Sequence, residues 1–300
     1  MVTIIGGGPA GIAAAIQLKR YNIDVILFEG VRLGGLLNNA NMVENYPGFP
    51  EGIPGEELVN RLKSHLEIHK VNVKHEWVKQ LAFEQKGKRK KFRLTTCSST
   101  HYTDVVVAAG GTKPKKSPLF ESLKPAFREN VFYEVYPVKH MKGKRIVIIG
   151  AGDAAFDYAL HLSVHNEVVI LNRKSLIKAL PLLVNRTEKH DRIQYFDNSR
   201  TLDIEGGKKK KLLITYAKGK SENKLETDYI LCAIGREPQM DFIAQDITNI
   251  KEELINQGRI YFAGDIKNGN YRQAAIAAGN GVETAMRIYE NWELKNESDC

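Results

Sequence analysis

The sequence predicts an α/β fold of two parallel-sheet domains, one inserted into the other. Two observations predict it. A strand, Gly-rich turn and helix occur twice, at Val2-Thr-Ile-Ile-Gly6-Gly-Gly8-Pro-Ala-Gly11 and at Arg145-Ile-Val-Ile-Ile-Gly150-Ala-Gly152-Asp-Ala-Ala155. Each copy is followed by a strand running into Gly-x-x-Pro: Asp104-Val-Val-Val-Ala-Ala-Gly110 leads to Gly111-Thr-Lys-Pro114, and Asp228-Tyr-Ile-Leu-Cys-Ala-Ile-Gly235 leads to Pro238. Three hundred residues are enough for two cores of ordinary size.

In chain order, residues 2–6 read as a short buried strand, residues 10–20 as a helix with Ala and Leu on one face, and residues 23–29 as a second strand. A stretch rich in Gly and Asn, Gly34 to Gly55, precedes a helix that ends near His69. Strand patterns with basic turns fill roughly residues 71–107. The Pro- and Lys-rich stretch from Gly111 to Pro118 reads as a linker. A second βαβ unit runs from Lys144 to Arg173, again followed by strands and turns. The tail does not repeat. It holds a strand, Arg259-Ile-Tyr-Phe-Ala-Gly264-Asp265, and a helix of small residues from Gln273 to Asn291. If the tail completes the first domain, residues 1–113 and 239–300 form one domain and residues 114–238 the inserted one, joined by linkers near 112–117 and 236–241.

Composition removes several classes. No apolar run approaches the ~18 residues of a membrane span. The N-terminus begins as a strand rather than a basic then apolar leader, so a cytoplasmic location is expected. Cys97, Cys232 and Cys300 are three, widely spaced, and include no Cys-x-x-Cys, which suits a reducing compartment. Cys232 lies inside an apolar strand and reads as core; Cys300 reads as a disordered tail or a mobile thiol. The net charge is +9, and much of the excess sits in Lys86-Gly-Lys-Arg-Lys-Lys91 and Lys208-Lys-Lys-Lys211. Each run falls where a hairpin turn is expected. It is either a solvated turn or a means of steering an acidic partner. No aromatic residues interleave with these charges to stack bases, which argues against nucleic acid. The pairs His65/His69 and His161/His165 lack the His-Glu-x-x-His pattern, so no metal site is expected.

The two Gly-rich turns point to two dinucleotides. Gly6 permits the tight turn, Gly8 the approach of a pyrophosphate, and Gly11 the packing of helix on strand. The helix N-terminus, with Pro9 and Ala10, then offers free N–H groups to phosphate. Glu29, 18 residues after Gly11, is placed to accept hydrogen bonds from a ribose. In the second copy Gly150, Gly152, Asp153 and Ala154 form the turn, with Ala155 in the third Gly position. Arg173 takes the place of Glu29, with Lys174 and Lys178 beside it. A carboxylate there would repel a 2′-phosphate and cations would bind it, so NADPH is expected over NADH. These cations also fit as exposed charges at a helix start. Asp265, after Gly264, is equally placed to cap the following helix or to bond a ligand's polyol. A helix N-terminus beyond it would suit the N1–C2=O edge of a flavin, which gains negative charge on reduction.

Taken with Gly34-Gly-Leu36, Val43-Glu-Asn-Tyr-Pro-Gly48, Ala108-Ala-Gly110, Asn172-Arg-Lys174 and Tyr271-Arg-Gln-Ala274, these motifs make the chain resemble the thioredoxin reductase-like flavoproteins along essentially its whole length. The resemblance implies Rossmann-like, three-layer ββα domains, an FAD domain in two segments, an inserted NADPH domain and a homodimer. It implies that Gly34, Gly35, Leu36, Asn45, Ala109, Gly110, Gly264, Asp265, Arg272, Gln273 and Ala274 hold FAD with the first turn and Glu29. Gly235 would join the NADPH set. Hydride would pass between nicotinamide C4 and flavin N5, with no side chain required as acid or base.

One departure matters. Counting back from Gly150 puts Tyr133 and Tyr136 where thioredoxin reductases carry a redox-active cysteine pair. The local text, Val131-Phe-Tyr-Glu-Val135 with Gly150-Ala-Gly-Asp-Ala-Ala-Phe-Asp-Tyr158, resembles the ferredoxin/flavodoxin–NADP⁺ reductases of the same fold, although the chain stops soon after Ala274 in the manner of a thioredoxin reductase. The leading expectation is therefore electron exchange with a small acidic carrier such as ferredoxin or flavodoxin. Two alternatives stand beside it: a disulfide reductase using Cys300 or a partner's thiols, and an NADPH-sensing flavoprotein without turnover.

Overall fold

The computed structural model describes residues 1–86 and 89–298. The chain divides into two compact units: residues 1–38, 43–113 and 237–300 form one, and residues 39–42 and 114–236 form the other. Each unit has three layers, helices on one face of a parallel sheet and an antiparallel ribbon on the other.

In the first unit the sheet order is Ile260–Phe262, Val105–Ala108, Val2–Ile5, Val25–Phe28, Asn72–Lys74, every neighbour parallel. The two central strands are buried at every residue, which is why they read as unbroken apolar runs rather than alternating ones. On one face Val2, Ile4, Leu27 and Val107 pack with Ile12 and Leu18 of helix Pro9–Arg20 and with Ala285 and Ile288 of helix Ala274–Ser298. These helices approach closely because Gly281 has no side chain; a Cβ there would clash with the Ala10 carbonyl oxygen. Stacked Tyr21 and Tyr289 rings, 4.2 Å apart, close the same contact. On the other face Ile5, Phe28 and Val106 meet Leu81, Phe92 and Leu94 of the ribbon Gln80–Lys86, Arg89–Thr95, Thr100–Thr103.

The second unit repeats the plan. Its sheet runs Ile193–Phe196, Glu167–Leu171, Arg145–Ile149, Tyr229–Cys232, Val131–Phe132. Ile146, Ile148, Val168 and Ile170 face Phe156 and Leu162 of helix Asp153–Ser163. Val147, Val169 and Ile230 face Ile204, Leu212 and Ile214 of the ribbon Ser199–Gly206, Leu212–Lys218, Ser221–Thr227. In both sheets the strand beside the Gly-x-x-Pro strand comes from outside the repeat. Ile260–Phe262 fills that place in the first unit and Val131–Phe132 in the second.

Two local readings change. Thr112–Pro114 and Arg236–Pro238, expected as linkers, pair as a two-stranded sheet, because extended Pro-containing segments satisfy their polar groups on each other. The final helix starts at Ala274 and continues beyond Asn291 to Ser298. The first lysine run falls at the ends of the antiparallel strands Gln80–Lys86 and Arg89–Thr95, and its residues 87 and 88 lie outside the described ones. The second is the turn Lys208–Lys210.

A surface carboxylate fixes the turn that leads to Thr100–Thr103. Glu76 accepts hydrogen bonds from the hydroxyls of Thr96 (2.6 Å), Ser98 (2.9 Å) and Ser99 (2.7 Å), and these hold its pKa down at about 2. The folded value lies below the unfolded one, so the stabilisation is complete above the ordinary carboxylate range and is lost as pH falls from about 4.5 toward 2. Glu76→Gln is expected to lower the urea midpoint at pH 7 and to converge with the parent across that acid window.

Candidate functional site

The first Gly-rich turn stands at the carboxyl end of the central strand of the first unit, where open α/β sheets bind ligands. Gly6 has φ +109° and a Cβ there would strike the Ala109 carbonyl, so the end of strand Val105–Ala108 sits hard against the turn. A Cβ on Gly11 would strike the Gly6 carbonyl. Gly8, which precedes Pro9 and Ala10 of the helix, has nothing within 4 Å of its Cβ position, so this face of the turn is open. No side chain caps this helix, and its first N–H groups have no partners within the helix. Gly34 donates to the Gly7 carbonyl (2.7 Å), and a Cβ on Gly35 would lie 3.4 Å from the Gly8 Cα. Half-buried Leu36 follows them, and Gly110 packs against Phe242. Gly264, φ +77°, rests on Ala10. Asn45 donates to Gln273 at 2.9 Å across 228 residues, just before the helix that begins at Ala274. Arg272 is half-buried beside Gln273.

Glu29 has partners within the protein as well. Its carboxylate accepts the backbone N–H groups of Gly7 (2.8 Å), Val31 (2.8 Å) and Arg32 (3.2 Å). These bonds lock the turn, and because a carboxylate has about four acceptor positions, capacity for a further donor remains. Asp265 does not cap the long helix. It sits in the short turn Gly264–Ile266, and the helix starts nine residues later.

The second turn repeats the geometry. Gly150 has φ +125° and its Cβ would strike the Ala233 carbonyl. Gly152 has nothing within 4 Å, and Asp153 and exposed Ala154 open the uncapped helix. Asp153 accepts the Leu180 N–H (2.8 Å), and the Lys178 N–H reaches the Ala151 carbonyl (3.3 Å). The segment carrying Lys178 therefore lies along the turn. Arg173, Lys174 and Lys178 are all exposed. Ala155 in place of a third Gly is fully buried in the helix–sheet contact. Gly235, φ +115°, accepts the Lys115 N–H (3.0 Å) and lies just after the neighbouring strand Tyr229–Cys232.

Two buried amides shape these loops: Asn38, which the sequence motifs leave out, and Asn172, which opens Asn172-Arg-Lys174. Asn38 donates to the carbonyls of Leu33 and Gly35 (both 2.9 Å). Asn172 donates to Leu176 O (3.1 Å) and Tyr195 Oη (2.8 Å) and accepts from Lys174 N (3.2 Å). Both are buried amides just after an apolar stretch, a signal of side-chain-built loops.

Tyr133 and Tyr136 are packing residues. Tyr133 meets Phe120 edge-on at 6.0 Å, and burial, then nearby Cys232, raises its pKa. The Tyr136 ring lies 4.0 Å from the Lys139 ammonium. Burial pushes the Cys232 thiol up to about 12, which leaves it protonated and unreactive at neutral pH. Cys97 is exposed, and Cys300 lies outside the described residues. Among the described residues no group of His, Cys, Asp and Glu is placed to hold a metal, and no helix is long and apolar enough to cross a membrane.

Two parallel sheets, each with an open Gly-rich turn at its carboxyl edge, define a protein that binds two dinucleotides. Residues 1–281 match the pyridine nucleotide-disulphide oxidoreductase family, and the chain belongs to it. Among its relatives, the thioredoxin reductase of Mycolicibacterium smegmatis is 28% identical over 97% of this chain and 96% of its own. Mitochondrial thioredoxin reductase 2 of Saccharomyces cerevisiae is 30% identical over 95% of this chain and 89% of its own. The crystal structure of Lactococcus lactis thioredoxin reductase superposes with a TM-score of 0.83 at 25% identity, covering 97% of this chain and 98% of that one. The chain is thus an FAD-dependent NADPH oxidoreductase of the thioredoxin reductase type.

These relatives overturn the expected ferredoxin or flavodoxin partner, since they are thioredoxin reductases. The lysines invoked to steer an acidic carrier also have local counter-charges. Lys91 pairs with Asp104 (3.2 Å), Lys210 with Glu129 (3.8 Å) and Lys211 with Glu226 (3.3 Å). Basic runs in hairpins compensated in this way make a weaker long-range field than their sequence suggests.

Proposed function

We propose that the first unit holds FAD, the second holds NADPH, and the chain reduces a disulfide without a Cys-x-x-Cys pair of its own. The balance is NADPH + H⁺ + RSSR → NADP⁺ + 2 RSH. The observation that carries this reading is the family match over residues 1–281 together with two open Gly turns of the same geometry. FAD bound there would supply a hydride acceptor for NADPH and a two-electron donor for the disulfide. The protein's part is positional. Gly6, Gly8 and the Pro9–Arg20 helix start receive the FAD pyrophosphate, with Gly34, Gly35, Asn45, Gln273 and Asp265 around it. Gly150, Gly152 and Ala154 receive that of NADPH, and Arg173, Lys174 and Lys178 its 2′-phosphate.

Tyr133 and Tyr136 stand in the places of the usual cysteines, and buried Cys232 is a poor nucleophile. The thiol that meets the flavin's electrons is then Cys300 or belongs to the substrate. A disulfide carried on thioredoxin is the substrate suggested by the names of the relatives. A cytoplasmic homodimer is part of the same reading.

Purified yellow protein, reduced anaerobically with NADPH and with NADH, tests the first half. NADPH-driven reduction of thioredoxin by wild type and Cys300→Ser tests the second. The expected result is a flavin bleached by NADPH and thioredoxin reduction that falls in Cys300→Ser. Unchanged reduction in Cys300→Ser would assign the thiol chemistry to the substrate alone. A bleached flavin that reduces no disulfide would overturn the acceptor, and a flavin that stays yellow would overturn turnover itself.

A further inference from the structure

We propose that the second unit carries a separate site for a small organic phosphate, at the end of its sheet opposite the Gly-rich turn. A cavity of about 420 Å³ opens there, within the size range of small-molecule sites. Lys144 and Asp228 line it immediately before strands Arg145–Ile149 and Tyr229–Cys232. The length of Arg145–Ile149 puts it roughly 16 Å from Gly150, at about 3.3 Å per residue. This is therefore not the dinucleotide site.

The lining has two chemical halves. Phe132, Met141 and Tyr229 supply an apolar wall, with the two rings 5.9 Å apart. Lys144, Lys209 and Lys210 supply cations. The two lining carboxylates are engaged: Glu129 lies 3.8 Å from Lys210, and Asp228 accepts the Arg145 N–H at 2.8 Å. Lys144 and Lys209 form no ion pair among the described residues.

A second observation marks the lysines as placed there against local preference. Lys209 (φ 52°, ψ 36°) and Lys210 (φ 61°) are consecutive left-handed residues in a turn closed by the Lys211 N–H on the Lys208 carbonyl (3.0 Å). Turns of this mirror-image kind favour Asn-Gly, because a Cβ is disfavoured at both positions. Asn130, another lining residue, pins the strained turn by donating to the Lys210 carbonyl (2.7 Å). Strain retained at the tip of this hairpin, with its cations at a cavity mouth, points to a ligand. Lysine ammoniums beside an aromatic wall suit a phosphate monoester on a flat or apolar body.

The test uses FAD-loaded protein saturated with NADP⁺, so that both dinucleotide sites are filled. Calorimetric titration with phenyl phosphate is expected to show one saturable site, and inorganic phosphate alone to bind more weakly. Lys209→Asn/Lys210→Gly should weaken phenyl phosphate at least tenfold and raise the melting temperature by a few degrees, because the turn then has its preferred residues. Arg173→Ser/Lys174→Ser should leave phenyl phosphate binding unchanged. The proposal is overturned by absence of saturable binding, by undiminished binding in the turn variant, or by loss in the Arg173/Lys174 variant. A fall in melting temperature of the turn variant would remove the strain that marks the site.

Discussion

Gly6→Ala is expected to give a colourless protein, and Gly150→Ala a yellow one that NADPH no longer bleaches. The two substitutions add the same methyl group to equivalent turns. At Gly6 (φ +109°) it meets the Ala109 carbonyl; at Gly150 (φ +125°) it meets the Ala233 carbonyl. Neither obstacle is a flexible side-chain end, so the strand end or the turn must move. Left-handed strain costs about 1–3 kcal/mol for a residue with a Cβ, and the collision adds to it. A loss of about 3 kcal/mol or more is expected for each, read from urea unfolding. Because the turns belong to different sheets, the ligand losses should separate. Absorption at the flavin band reads the first, and anaerobic NADPH titration the second. Wild-type bleaching of Gly150→Ala would detach NADPH from this turn.

Arg173→Ser/Lys174→Ser is expected to cut the preference for NADPH over NADH by roughly a hundredfold. A hydrogen bond to a charged group is worth about 1.5–3 kcal/mol. Both side chains are exposed, and solvent screening favours the low end of that range. Two such contacts then sum to about 3 kcal/mol, with 1.4 kcal/mol per tenfold. Exposed cations are also screened by salt, so the wild-type preference should shrink as ionic strength rises. Steady-state kcat/KM for both nucleotides at low and high salt measures it. An unchanged preference in the double variant would place the 2′-phosphate elsewhere, with Lys178 the next residue to replace.

The site was legible wherever a residue's role depends on its own backbone. Gly6, Gly8, Gly150 and Gly152 could be picked out because a turn with positive φ or an open approach admits little else, and the spacing to Glu29 and Arg173 follows from the length of one helix and one strand. Roles set by distant partners were not legible. That the Glu29 carboxylate also holds the Gly7 N–H depends on a partner 22 residues away. That Asp265 belongs to its own turn depends on where the last helix begins. The lysine runs looked like a field for an acidic partner, because Glu129, Asp104 and Glu226, which sit beside them, are remote in the chain.

The sequence alone determined the duplicated α/β plan, the two dinucleotide turns and the sign of charge at each. These rest on local sterics, strand burial and helix length, which act over a few residues. Tertiary structure decided the rest. It brought Asn45 to Gln273, set Ala109 and Ala233 against their glycines, buried Cys232 beyond easy ionisation, and turned two expected linkers into a paired strand. Those outcomes depend on which surfaces meet when apolar faces close. A short-range pattern carries no information about a neighbour two hundred residues away.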